Sequence, residues 1–311
     1  MVTRILPLAL LIAAVSLLLS GGASAQVRAT EVSPARTAAD AALPSPAAAQ
    51  AITRRLWSRR EAALEALSTA RLAPIETASA KLLDASYVGS VRCKCELRKD
   101  RHPVNTIAVQ VPTASVKPIF FAEVRTTNAT NRHPWYLLAI ERTHGAWKIG
   151  LVAWAGYTLT PPLLTITRSN AATPAVTAAS YARIANLARA SIAYGKAHAK
   201  LVGHTSYGAT IHIRPELHPA ADGVYGLAVP GGKVFSCFTI HSVETYSLPG
   251  GLSQGAAKKQ WGPLLPAGGY KTITVDNAVP TCTLGKGVGS VTGALRFTYD
   301  LRVVATSGVP V

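Results

Sequence analysis

IFFAEVRTTNATNRHPWYLLAIERTHGAWKIGLVAWAGYTL, residues Ile119–Leu159, decides how this chain is read. Three strands are predicted in it: Ile119–Arg125, Trp135–Arg142 and Trp147–Ala155. His144-Gly145 stands where a two-residue hairpin turn belongs, because glycine supplies the positive φ such turns need. The turn sets a register. Ile140 is expected to face Ile149, Leu138 to face Leu151 and Tyr136 to face Ala153, all on one apolar side. Glu141 then faces Lys148 on the opposite side, a cross-strand pair of opposite charge. The pattern points to an antiparallel core sheet and carries no chemistry by itself.

Upstream, Ser45 is expected to cap a helix that has Pro46 at its first position. Ile52, Leu56, Ala63 and Leu67 recur at helical spacing and mark its buried face. Arg54, Arg55, Arg59 and Arg60 crowd around Trp57. They read either as a solvated helix face or as an anion-docking patch. Pro74 ends this helical region, and a shorter helix is expected to about Ala85 with Ile75, Leu82 and Leu83 inward. Tyr87–Leu97 and Thr106–Val111 are predicted strands.

Downstream, Thr160–Thr177 holds three prolines and reads as a linker. A helix is predicted from about Ala178 to Leu201, with Tyr181, Ile184, Leu187, Ala188, Ser191 and Ile192 as its inner stripe. Strands follow at Tyr207–Ile213, Val224–Val229, Lys233–Tyr246, Tyr270–Asp276 and Ala294–Ala305. Pro230-Gly231-Gly232 is a tight turn, and Leu248–Gly269 a long loop. The fold class is α+β, with two expected domains at 45–159 and 178–311. Each is one or two helices followed by a curved antiparallel sheet, the second richer in β-structure.

The first 25 residues read as an export signal. Arg4 is the positive n-region, Ile5–Leu19 the apolar h-region and Ala23-Ser24-Ala25 the cleavage site. The mature protein is expected to begin near Gln26 and to be secreted or kept in the cell envelope; retention as an N-terminal anchor is the alternative. The apolar run falls short of a span of about 20 residues, and no later stretch reaches one, so no transmembrane span is expected in the mature chain. Gln26–Pro44 is Ala/Pro/Ser/Thr-rich and reads as a disordered tether.

Lys and Arg number 32 against 15 Asp and Glu, a net charge of +17. Both halves carry it: 19 against 10 over residues 26–175, and 12 against 5 from Val176 on. An exported chain of this charge is drawn to an anionic cell-wall polymer or acidic lipid, and a small ligand is the other partner considered. The same charge also serves to keep an Ala-rich protein soluble. Aromatic residues make up 6% and are not interleaved with the basic ones, so no nucleic acid partner is expected.

Four cysteines in an oxidising compartment point to disulfides. Cys237 lies in one predicted strand and Cys282 follows another, so these two are expected to staple neighbouring strands, with the other two pairings of the four cysteines left open. Cys93 and Cys95 are left as a C-K-C pair, and a bridge between them needs a bent backbone. Arg92 and Lys94 beside them lower a thiol pKa, which makes a thiol–disulfide role the sharper alternative to a structural bridge.

Gly251-Leu252-Ser253-Gln254-Gly255 fits G-x-S-x-G, but Pro249-Gly250 precedes it and His241 is the last histidine, so no hydrolase elbow is expected. No S-x-x-K or H-E-x-x-H occurs. His212, Glu216 and His218 have irregular spacing for a metal, and no Gly-rich loop joins a strand to a helix. No metal, cofactor or catalytic residue is expected.

Gly145-Ala146-Trp147-Lys148-Ile149, a W-K-I strand closing a helices-then-strands layout, resembles the nuclear-transport-factor-two-like fold over about Ala47–Leu159. Leu72–Thr77 (LAPIET), His133–Tyr136 (HPWY) and Gly226–Gly232 (GLAVPGG) are similar to an uncharacterised family of secreted actinobacterial proteins over about Ala47–Ala305. The first resemblance implies a curved sheet wrapped round helices. Some members of that fold are isomerases and dehydratases with an Asp or His inside the cone, and no position here matches such a motif. The second family brings no activity. The expected function is an exported, non-catalytic binding or envelope-associated module. The alternatives are an enzyme using a cavity in the first domain, or a thiol–disulfide protein acting through Cys93 and Cys95.

Overall fold

A computed structural model describes residues 42–92, 103–127, 134–156, 173–198, 202–204, 210–217, 223–252, 270–287, 297–298 and 302–310. The fold is α+β. Helix α1 (Pro46–Glu65) starts as expected: Ser45 is extended and its hydroxyl accepts from the Ala48 amide at 3.3 Å, with Pro46 in the first turn. A short α2 (Thr69–Leu72) and α3 (Ala78–Arg92) follow. The first sheet is an antiparallel meander of β1 (Val104–Gln110), β2 (Ile119–Thr126), β3 (Trp135–Thr143) and β4 (Ala146–Gly156), in that order.

Helix α4 (Ala178–His198) opens the second half. Its sheet contains β5 (Val202–His204), β6 (Thr210–Leu217), β7 (Val224–Val229), β8 (Lys233–Leu252), β9 (Tyr270–Gly285), β10 (Phe297–Thr298) and β11 (Arg302–Pro310). The long β8–β9 pair is its spine. β6 and β7 line one side of β8, and β10 and β11 line the other side of β9, all antiparallel.

The β3–β4 hairpin turns as the sequence predicts. His144 (φ 49°) and Gly145 (φ 77°) both take positive φ, the pairing a two-residue turn of this hand requires. Thr143–Ala146, Arg142–Trp147, Glu141–Lys148 and Ile140–Ile149 then face each other. Beyond that the register departs from expectation. Gly150 is an extra residue: Ala139 faces Leu151, Leu138 faces Val152 and Leu137 faces Ala153, while Tyr136 faces Trp154. This bulge sends Leu151 and Ala153 to the face opposite Ile149.

The first sheet is therefore buried on both sides. Phe120, Ala122, Val124, Leu138, Ile140 and Ile149 face α1 and α3, where Leu56, Trp57, Leu72, Ile75, Tyr87 and Val88 meet them. Ile119, Phe121, Leu137, Ala139, Leu151 and Ala153 belong to the other cluster, with Tyr225, Leu227, Phe235 and Cys237 of the second sheet. Phe121 and Phe235 meet edge-on, ring centroids 5.7 Å apart. Helix α4 covers the far face of the second sheet: Ala188 and Ile192 pack on Phe238, and the Ser236 hydroxyl donates to the Ile184 carbonyl at 3.0 Å. The layers run helices, sheet, sheet, helix.

Several expectations change. The strand expected over Tyr87–Leu97 is helix as far as Arg92, because Ala80, Leu83, Tyr87 and Val88 form one buried stripe at helical spacing. Strand β9 runs through Pro280 to Gly285, so Cys282 lies inside a strand rather than after one. β8 continues to Leu252, into the expected loop. The end of the expected linker is bound in place: the Thr113 amide donates to Thr173, and Val116 and Val176 exchange bonds with the opposing chain. Val176 is buried in the cluster shared by both sheets, and Ala38–Val311 is one compact unit. The export signal, most of the tether, Cys93, Cys95 and residues 253–269 lie outside the described residues.

Candidate functional site

Helix α1 divides its four arginines between two environments. Arg54, Arg55 and Arg59 are exposed on its outer face. Arg60 is not part of that patch. Its side chain is only 11% exposed and points toward α3. The correction follows from helical geometry. Leu56 and Ala63 are seven residues apart on the buried stripe, and Arg60 fills the turn between them, beside Thr53 and Trp57.

Arg60 is the centre of a buried ionic cluster. Its Nε and one terminal nitrogen donate to both oxygens of Asp84, at 2.5 and 2.7 Å. The other terminal nitrogen donates to Glu61 Oε1 at 3.2 Å. Glu76 Oε1 stands 3.3 Å from Nε. The guanidinium lies over the Trp57 ring, 5.0 Å from its centroid, and Trp57 in turn packs on Tyr136. Burial alone lowers the arginine's pKa, but Asp84, Glu61 and Glu76 more than offset it and hold the proton on. Glu76 is the opposite case. Burial, with Asp84 beside it, pushes its carboxyl well above the usual range, and Arg60 only partly opposes this.

The main chain on either side of Glu76 is tied to the sheet. The Ile149 amide donates to the Ile75 carbonyl and the Thr77 amide to the Ile149 carbonyl, both at 2.9 Å. This parallel bridge covers the outer edge of β4. Lys148 adds a bond to the Ala73 carbonyl at 3.5 Å.

Between the sheets, Tyr225 reaches across to the first sheet and donates to Glu141 Oε1 at 2.9 Å. Burial raises the Glu141 pKa, while this bond and the nearby Lys117 and Lys148 lower it. The phenol fits because Gly150 has no side chain: a Cβ there would lie 2.2 Å from the hydroxyl oxygen. Lys117 sits over the Tyr181 ring and donates to its hydroxyl at 2.5 Å, and Tyr181 donates to the Val224 carbonyl.

Cys237 and Cys282 form the expected disulfide, directly opposite each other with Cα atoms 4.0 Å apart and no exposure. His212 is exposed on β6, His218 lies outside the described residues, and no group of three metal-ligating side chains occurs among the described residues. No helix among them is long and apolar enough to cross a membrane. Sequence reasoning missed Glu76 and Asp84 as partners of Arg60. The available signal was a charged residue on each of two apolar stripes, Arg60 on α1 and Asp84 on α3. Comparison with known proteins finds no matching family model, no matching curated protein and no matching solved structure.

Proposed function

We propose that the protein is an exported, non-catalytic module that docks on an anionic surface of the cell envelope through the outer face of α1. The observation that carries this reading is the exposure of Arg54, Arg55 and Arg59 on a helix whose inner face is anchored by Arg60. Helices with a fixed inner face present their outer charges as a rigid array, and such an array gains about 1 kcal/mol per basic residue near an anionic lipid surface. The chain's net charge of +17 works in the same direction at longer range.

The packing between α1, α3 and the first sheet also supports binding over catalysis. Leu56, Trp57, Leu72, Ile75, Phe120, Leu138 and Ile140 are packed together where the resemblance to the nuclear-transport-factor-two-like fold puts a cone. The two halves, read from sequence as separate domains, act in this proposal as one rigid unit behind the docking face. Export and residence in the envelope belong to the same proposal and rest on the N-terminal sequence.

Co-sedimentation of the mature protein with vesicles tests it, using neutral lipid, anionic lipid, and anionic lipid with a soluble wall polyanion as competitor. Binding to the anionic vesicles alone that falls steeply between low and physiological salt is the expected result. Equal binding to neutral vesicles, or binding indifferent to salt, contradicts it.

A further inference from the structure

Glu76 is buried in a place that does not suit a carboxylate. It is 1% exposed, and neither carboxyl oxygen has a hydrogen-bond partner. Arg60 Nε is near, but its single N–H already donates to Asp84. One guanidinium thus faces three carboxyl groups. An ionised carboxylate in such a site is strongly disfavoured, and the site relaxes by taking up a proton.

Among the described residues, Arg60 is the cation that reaches Glu76. Helix α1 contributes Arg60 and Glu61, and α3 contributes Asp84; Lys81 is exposed on the outer side of α3. Strands β2 and β3 present Phe120, Ala122, Val124, Tyr136, Leu138 and Ile140. Arg142 lies at the hairpin end of that face, where its Nε donates to the Gly145 carbonyl. β4 brings Trp147 and Ile149, and Lys148 is engaged with the Ala73 carbonyl.

We propose that this cluster is a proton-held latch: Glu76 is the neutral acid at neutral pH, beside Asp84, and its ionisation loosens the 73–77 connection from β4. The two amide bonds joining Ile75 and Thr77 to Ile149 are what the latch holds. The sign follows from linkage. Glu76 keeps its proton in the folded chain to a higher pH than it does when the segment opens. The closed form therefore weakens as pH rises from the ordinary glutamate range through the folded-state pKa.

Amide hydrogen exchange on the full chain, corrected for intrinsic rates, tests this between about pH 5 and pH 9. In the wild type the opening constant at Thr77 and Ile149 is expected to rise with pH, by up to about tenfold per pH unit for one proton. In Glu76→Gln, which keeps a neutral side chain at every pH, it is expected to stay flat. Parallel profiles for the two proteins overturn the latch. Infrared spectroscopy of the wild type keeps the proposal testable if that variant does not fold. A protonated-carboxyl band is expected at neutral pH and should persist in Glu141→Gln and in Glu123→Gln. Its absence from the wild type at neutral pH, or its loss in Glu141→Gln or Glu123→Gln, overturns the assignment to Glu76.

Discussion

The two faces of the first sheet are both buried, and they are buried by different means. Toward the helices, an apolar layer surrounds an ionic cluster in which Arg60 of α1 joins Glu61, Glu76 and Asp84. Toward the second sheet the contact is almost wholly apolar, and its polar content includes the Tyr225–Glu141 bond and the buried carboxylate Glu123. The first face depends on charge balance, so it responds to pH. The second depends on close approach, through the Gly150 bulge and a disulfide lying in the interface, and pH reaches it through Glu141, whose pKa burial raises.

The largest expected effect breaks the first face. Arg60→Ala leaves buried carboxylates without their cation and is expected to cost about 3–5 kcal/mol in denaturant unfolding. Replacing Arg60, Glu76 and Asp84 together by apolar residues of similar volume is expected to restore most of that loss. A triple variant as unstable as Arg60→Ala means that the cluster is not acting as a unit.

On the second face, replacing Cys237 and Cys282 by alanine removes a link between positions 45 residues apart. The same unfolding assay is expected to show a loss of about 2–4 kcal/mol. Gly150→Ala is expected to cost about 1–3 kcal/mol, since the new Cβ would lie 2.2 Å from the Tyr225 hydroxyl oxygen and the phenol must shift. The disulfide loss should be the same at pH 5 and at pH 8, whereas the latch at Glu76 should not be; the Gly150→Ala loss should grow with pH, because displacing Tyr225 removes a bond that lowers the Glu141 pKa. A disulfide loss that varies with pH as the latch does would erase the contrast between the faces.

Much of this was legible in the sequence. The cap at Ser45, the His144-Gly145 turn and the inner stripe of α4 all follow from local chemistry, which needs only neighbouring residues to act. The bulge was not legible. Gly150 sits in an unbroken apolar run, and only the distant Tyr225 gives it a reason to be extra. The burial of β2 on both faces was not read from the sequence, where Glu123 interrupts the apolar run that begins at Ile119. The ionic cluster was half legible. Arg60 falls on an apolar stripe, and a charge there signals a buried partner, but Asp84 is 24 residues away and its pairing is a tertiary fact. The shared core of the two halves was hidden for the same reason: the prolines of 160–177 look like a boundary, and the bonds from Thr173 and Val176 to the β1–β2 connection are long-range.

The most direct test of the account compares the arginines of one helix. Binding to anionic vesicles at low salt is measured for the wild type and for Arg54→Ala/Arg55→Ala/Arg59→Ala, with unfolding followed on the same samples. The account expects the triple variant to fold with wild-type stability and to bind about a hundredfold more weakly, at about 1 kcal/mol per arginine. Unchanged binding by a folded triple variant would contradict α1 as the docking face.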